Sequence, residues 1–278
     1  MPLIAMTREM GSLGKDVAAG VAARHGKKVV YHEIIEPIAN KMRLRKSHVE
    51  RLLDGKSGIW ERLTTDKTSL SIFTADETFR FLRDGSTGVI RGWGAVHLLK
   101  DIPHVIRVRV CAPLETRIER MMQRLGTDNR ETVLAEIELS EEAHTAITRR
   151  HFGVNWRDPE HYDVVLSTER LSVEECVEEV DCMLRKKCFQ ETPESLRRVD
   201  NLATEWSVRS GLRRDERTSA THITVECDAG TVRLLGVVDT ESESNAAAAV
   251  AAAVAGVGFV DNQLKAASSA GSRFRREG

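Results

Sequence analysis

No run in this 278-residue chain is apolar for long enough to cross a bilayer, so a membrane-spanning helix is not among its organising elements. The first residues hold no basic stretch followed by an apolar one. A secretory leader is therefore not expected, and the cytoplasm is the expected compartment. Cysteine is scarce and odd in number, five in all, with no C-x-x-C pair. Free thiols are expected rather than a disulfide framework or a zinc site. Charge bias is missing as well: 41 Lys and Arg stand against 42 Asp and Glu, a formal net charge of −1. Nothing global points to nucleic acid or to an acidic membrane surface. What is present is a globular balance, 41% hydrophobic and 30% charged, in a chain longer than one ordinary domain. Two domains are expected on length alone.

The sharpest local signal lies in the first two dozen residues. Leu3-Ile4-Ala5-Met6 is short and apolar, as a buried strand would be, and Asp16–Ala23 has the small apolar residues of a helix packed on a sheet. Between them stands Gly11-Ser12-Leu13-Gly14-Lys15. A glycine loop opening a helix turns backbone N–H groups inward, and the helix N-terminus adds partial positive charge. The full phosphate-loop pattern is G-x-x-x-x-G-K-[ST]. Gly14 and Lys15 fit it, whereas Glu9 takes the first glycine position and Asp16 the hydroxyl position. An ordinary strand–turn–helix is the plain alternative.

Further strands are expected at Lys28–Tyr31, Thr87–Arg91, His104–Val110 and Tyr162–Leu166. Helices are expected from His32 to Ala39, with Pro37 in the first turn, then at Leu114–Leu125, Asn129–Arg150 and Ser172–Lys187. Several short helices fill Leu44–Arg83, broken at Asp54-Gly55 and Lys56-Ser57-Gly58. Strands separated by helices predict an α/β unit, a five-stranded parallel sheet with helices on both faces. Ligands then sit beyond the carboxyl ends of the strands, where the glycine loop, Arg91-Gly92-Trp93-Gly94 and Ser167-Thr168 all fall.

The pattern changes at Gln190-Glu191-Thr192-Pro193, taken as the boundary between a domain over 1–190 and one over 193–266. The second reads helix–strand–strand–helix–strand, a small α+β fold: a helix over Glu194–Arg214, then a hairpin turning at Asp228-Ala229-Gly230. Thr240-Glu241-Ser242-Glu243 forms a capping box ahead of an alanine-rich helix, and Gly258–Leu264 is the last strand. Residues 267–278, small and basic, read as a disordered tail.

Residues from Leu3 to about Lys187 resemble the cytidylate kinase-like proteins, a branch of the phosphate-loop nucleoside monophosphate kinases. The resemblance rests on Thr7–Lys15, Tyr31-His32-Glu33-Ile34-Ile35, Gly92-Trp93-Gly94-Ala95, Ala112–Arg120 and Asp158–Thr168, in that order. From about Pro193 to Lys265 the chain resembles a BON module, through Asp228–Gly236 and Gly256–Asn262.

The resemblance implies an ATP-dependent, Mg2+-assisted kinase of a nucleotide or similar phosphate acceptor. Gly11, Ser12, Leu13, Gly14, Lys15 and Asp16 would hold the donor phosphates. Arg117, Arg120 and Arg124 share one side of a helix and would close over them, joined by Arg149 or Arg150. For each arginine the alternative is a solvated charged helix. Ser167 and Thr168 would border the adenine, and Lys15, Arg117, Arg120 and Arg149 would assist transfer. On the acceptor side stand Tyr31, Arg91, Trp93 and either Arg80 or Arg83. Trp93 occupies a position where similar kinases carry an arginine, and an indole cannot bind phosphate bidentately. A second function class is therefore carried along: a catalytically silent nucleotide-binding protein whose BON-like module contacts a protein or ligand partner.

Overall fold

The structure is a computed structural model that describes residues 3–31, 33–53, 66–83, 85–92 and 94–267. The expected breaks between Asp54 and Gly58, Trp93, and residues 268–278 of the tail lie outside them. The chain divides into two compact units, one of Met1–Asp66 with Asp84–Ser195, the other of Lys67–Arg83 with Leu196–Gly278.

In the first unit, β1 (Leu3–Arg8), β2 (Lys28–Val30), β3 (Thr87–Arg91), β4 (Val105–Cys111) and β5 (Val164–Ser167) form one sheet in the order β2-β3-β1-β4-β5. Every pairing is parallel, as expected. Ile4, Met6, Val89, Ile106 and Val108 are buried, because a parallel sheet covered on both faces has no wet side to alternate toward. Against this sheet pack α1 (Gly14–Arg24) and, beside it in the same core, the last helix of the unit, Val173–Leu184. A Cβ on Gly20 would come within 2.8 Å of Val177, so the bare glycine lets these two helices approach closely. Ser172 opens the second of them with a capping box closed by Glu175. Helices α2 (Ile35–Met42) and α3 (Lys46–Leu53) follow β2; Pro37 falls in the first turn of α2, where no intrahelical N–H is required of it.

Two long helices stand over the carboxyl edge of the sheet. The first runs Leu114–Leu125 and stops at Gly126 in the left-handed conformation; the second runs Arg130–Phe152, capped by Asn129 accepting from the Thr132 N–H. Ile118, Met121, Val133 and Ile137 form the seam between them.

The second unit has a three-stranded sheet, β6 (Thr224–Asp228), β7 (Thr231–Val238) and β8 (Phe259–Ala266), with β6–β7 antiparallel and β7–β8 parallel. The hairpin turns at Ala229 (φ 47°) and Gly230 (φ 80°), the two positive-φ residues of a tight turn, and Asn201 accepts from the Ala229 N–H. Helices Pro193–Arg214 and Glu241–Ala252 supply Val208, Leu212, Ala247 and Ala251 to a core shared with Val225, Cys227, Val232 and Leu234. Thr240 caps the Glu243 N–H as expected, but the Glu243 carboxylate returns to the Asp239 N–H, so the box closes one residue early.

One element of this unit comes from far upstream. Helix Lys67–Arg83 belongs to it, with Ser207 donating to Asp76 at 2.8 Å, Arg213 to Ser69 at 2.8 Å, and Arg83 paired with Asp200 at 3.5 Å.

Candidate active site

The glycine loop lies between β1 and α1, at the carboxyl edge of the first sheet. Gly11 has φ +80° and Leu13 φ 59°, left-handed positions that fold the loop back before the helix begins. A Cβ on Gly11 would stand 2.7 Å from the Arg117 carbonyl oxygen, and one on Gly14 2.6 Å from Cβ of Arg8. Both glycines are therefore fixed by the space around them. Ser12 is buried and its hydroxyl donates to the Glu9 carbonyl at 2.8 Å, which ties the loop to its own start. Lys15 and Asp16 are exposed in the first turn of α1. A loop of this kind ahead of a helix can serve as a backbone anion cradle, with the exposed Lys15 beside it.

Opposite partners hold the loop in shape. Thr168, just past β5, is buried and donates its hydroxyl to the Ser12 carbonyl at 2.9 Å. Arg120 grips Thr168 twice, at 2.9 Å on the hydroxyl and 2.6 Å on the carbonyl. Arg117 is buried, donating to Ala112 O, Met10 O and Glu141, with Glu9 3.5 Å away. Both arginines thus brace the loop and the strand ends. Arg124 and Arg149 are exposed on their helices, and Ser167 is exposed at the end of β5.

Beside the loop, a cleft is lined by Arg8, Tyr31, Leu53, Arg91, Gly92, Gly94, Ser140 and His144. Tyr31 and Arg91 meet there, the guanidinium carbon lying 3.9 Å from the ring centroid. His144 stacks on Trp156, centroids 4.2 Å apart and planes 14° from parallel. Burial, then the charges of His97, Arg8, Arg109 and Arg157, hold its pKa down to about 3, so its ring is neutral at ordinary pH. Two arginines, a tyrosine and a neutral imidazole can offer charge and hydrogen bonds to an anionic ligand.

Arg80 and Arg83 fall in the other compact unit. Their helix, Lys67–Arg83, is part of the second unit, where Arg80 pairs with Glu77 and Arg83 with Asp200. Conversely, Arg8, Glu9, Arg109, Ser140, Glu141 and His144 belong to the site and carried no assigned role in the sequence. Arg8 ends the strand that feeds the glycine loop, a position at which a cation was legible.

A parallel sheet ordered 2-3-1-4-5, with a glycine-lysine loop after the central strand, defines a phosphate-loop kinase fold. The cytidylate kinase-like family model matches residues 3–170, and the BON domain model matches residues 200–268. The chain belongs to the cytidylate kinase-like family and carries a C-terminal BON domain. A cytidylate kinase from Methanosarcina acetivorans is 29% identical over 76 residues, covering 27% of this chain and 42% of that protein. The match thus spans well under half of that relative. Among solved structures, an uncharacterized protein from Eubacterium ventriosum matches with a TM-score of 0.51 at 19% identity, covering 67% of this chain and 100% of that one. A shikimate kinase from Acinetobacter baumannii in complex with shikimate matches at TM-score 0.37 and 13% identity, over 66% of this chain and 93% of that one. The first likeness bears on fold alone, and the second is too distant to carry an argument. Family membership supports a kinase-type function on a nucleotide or other small molecule. Among the described residues no helix is long and apolar enough to cross a membrane.

Proposed function

We propose that the first unit is an ATP-dependent phosphotransferase acting on a nucleotide such as CMP or on another small phosphate acceptor. The observation that carries this reading is the juxtaposition of the Gly11–Lys15 cradle with the cleft of Arg8, Arg91 and Tyr31. A donor phosphate chain fits the cradle, whose glycines leave backbone where a Cβ would collide. Lys15 would neutralise charge on the outer phosphates, and Arg8 and Arg91 would hold the acceptor in line. Mg2+, held mainly by phosphate oxygens and water, would add charge neutralisation, with Asp16 the acidic residue of the loop beside it. Phosphoryl transfer asks the protein for position and charge more than for covalent chemistry, and the site offers those.

A second reading is favoured by one observation. Arg117 and Arg120, expected to assist transfer, are both committed to partners within the protein. A nucleotide-binding protein without turnover, whose BON domain contacts a partner or ligand, accounts for that. An ADP-release assay over a panel of nucleoside monophosphates separates the two. Turnover abolished by Lys15→Ala supports the kinase, whereas ATP binding with no ADP release from any acceptor supports the silent protein. Removing the charge-assisted contact of Lys15 is expected to weaken ATP binding by roughly ten- to a hundredfold.

A further inference from the structure

Five charged residues form a closed circuit beside the long helices, one link of it through a backbone carbonyl. Arg109, on β4, donates Nη2 to Glu9 Oε1 at 2.7 Å and Nη1 to the Arg157 carbonyl at 2.6 Å. The other Glu9 oxygen lies 3.5 Å from Nε of Arg117, and Arg117 Nη1 donates to Glu141 Oε1 at 2.7 Å. Glu141 Oε2 closes the circuit by accepting from Arg157 Nη2. Three cations thus face two carboxylates, and Arg117 joins the circuit to the glycine loop. The Met10 carbonyl is 3.4 Å from Arg117 Nη1, and the Arg117 carbonyl packs on Gly11.

The two carboxylates are held differently. Glu9 is buried and also accepts from the Ala112 N–H at 3.3 Å, so strand ends fix it on several sides. Glu141 sits in the middle of helix Arg130–Phe152 and joins the buried Arg117 to Arg157, whose side chain is 48% exposed. Removing the charge of Glu141 leaves Arg117 with Glu9 and two carbonyls, so the buried cation stays compensated. Arg157, by contrast, is half in water and lies near the face of Trp156, its guanidinium carbon 5.5 Å from the ring, free to change partner with little packing lost.

Planar guanidinium forks bind carboxylate and phosphate in the same way, and phosphate carries more charge. We propose that Glu141 is a positioning residue that acts as a resident counter-ion, holding Arg157 on its carboxylate until a phosphate chain on the glycine loop competes for it. The inference rests on the donor half of the proposed function, since it needs a polyphosphate on that loop. Binding then exchanges one carboxylate–arginine pair for a phosphate–arginine pair, and Glu141 sets how tightly the loop holds its ligand.

The test is calorimetric titration of the full chain with tripolyphosphate, which needs no catalysis. Glu141→Gln keeps an acceptor for Arg117 but drops the competing charge, and is expected to tighten tripolyphosphate binding about three- to tenfold. Glu141→Asp, which keeps the charge but withdraws it by one methylene, should move the same way by less and serves if the glutamine variant fails to fold. Adding Arg157→Ala to either variant should cancel the gain, and adding Arg157→Lys, which keeps the charge but not the planar fork, should cancel most of it, which a general electrostatic effect would not do. Unchanged or weaker binding in both Glu141 variants overturns the proposal, as does a gain that survives Arg157→Ala, or a wild type that does not bind tripolyphosphate. The expected response without ADP release from any acceptor would leave this proposal standing and remove the kinase reading. Brisk turnover with no response to Glu141 would do the reverse.

Discussion

The guanidinium of Arg91 lies flat enough over the Tyr31 ring to bring its central carbon within 3.9 Å of the ring centroid. The tyrosine at the end of β2 therefore supports an arginine at the end of β3, and that face of the ring is taken. Gly92 allows the packing, since a Cβ there would stand 3.1 Å from the ring edge. A base stacked on this face of Tyr31 is excluded by the same contact. Tyr31→Phe should leave acceptor binding nearly intact. Tyr31→Leu should raise the acceptor KM by roughly two- to thirtyfold, the value of a cation–π contact of about 0.5–2 kcal/mol. Steady-state kinetics with acceptor varied at saturating ATP make the comparison, and equal KM values for the two variants would remove the positioning role.

Gly14→Ala should damage the protein before it damages chemistry. The added methyl would meet Cβ of Arg8 at 2.6 Å and Cβ of Val110 at 3.1 Å, both rooted in central strands. Overpacking of this kind costs about 1–3 kcal/mol, and the shift of Arg8 should also reach the acceptor cleft. Denaturant unfolding would show a lowered midpoint with an unchanged slope. Wild-type stability in this variant would mean that the strands yield more readily than the spacing implies.

Acid should destabilise the first unit through two histidines. Burial holds His97 down to about 4 and His144 to about 3, against an ordinary value of 6.5. Both are neutral in the fold, while the unfolded chain takes up their protons below about pH 6.5. The stability they allow is whole above that pH and is lost as pH falls toward 4. The slope is at most about 1.4 kcal/mol per pH unit for each group. His144→Phe keeps a ring against Trp156 and should flatten the fall between pH 6.5 and 4.5 in denaturant titrations. An unchanged slope would place the acid sensitivity elsewhere.

CMP is expected to be a poor acceptor. Similar kinases carry an arginine where this chain has Trp93, a residue outside those described. Trp93→Arg should lower the KM for CMP with little effect on the KM for ATP, because the added fork serves the acceptor phosphate alone. Rapid CMP turnover by the unaltered protein would show that Arg8 and Arg91 suffice.

The sheet was legible because the strands are short apolar runs set between helical stretches, three of them (β1, β3 and β4) leading into glycine or proline, as buried parallel strands do. The carboxyl-edge placement of the loop, Arg91 and Thr168 followed from that alone. The charge circuit was not legible. Glu9 and Arg109 are 100 residues apart, and a glutamate in a glycine's position reads as a defect until its two arginine partners are in place. For Arg117 the alternative of a solvated helix charge, which the flanking Glu115 and Glu119 suggest, does not hold, since its side chain turns inward and is buried. Arg80 and Arg83 read in the sequence either as acceptor ligands or as exposed helix charges; their helix belongs to the second unit, where its side chains Ser69 and Asp76 meet Arg213 and Ser207.

That last helix makes the chain a poor subject for cutting and pasting. The stretch that matches the kinase family runs unbroken from residue 3 to 170, yet residues 67–83 within it belong to the other compact unit. Deleting everything after Ser195 would strip the helix of the residues that satisfy Ser69, Asp76 and Arg83, and leave Phe73 and Phe79, buried in the whole protein, without part of the fold that encloses their helix. Such a fragment should bind apolar dyes and aggregate, whereas the mirror-image fragment starting near Leu196 should regain its fold when a 67–83 peptide is supplied in trans. The C-terminal unit is then not a separable module: with residues 67–83 built into it, a cut anywhere between them and Leu196 divides that unit.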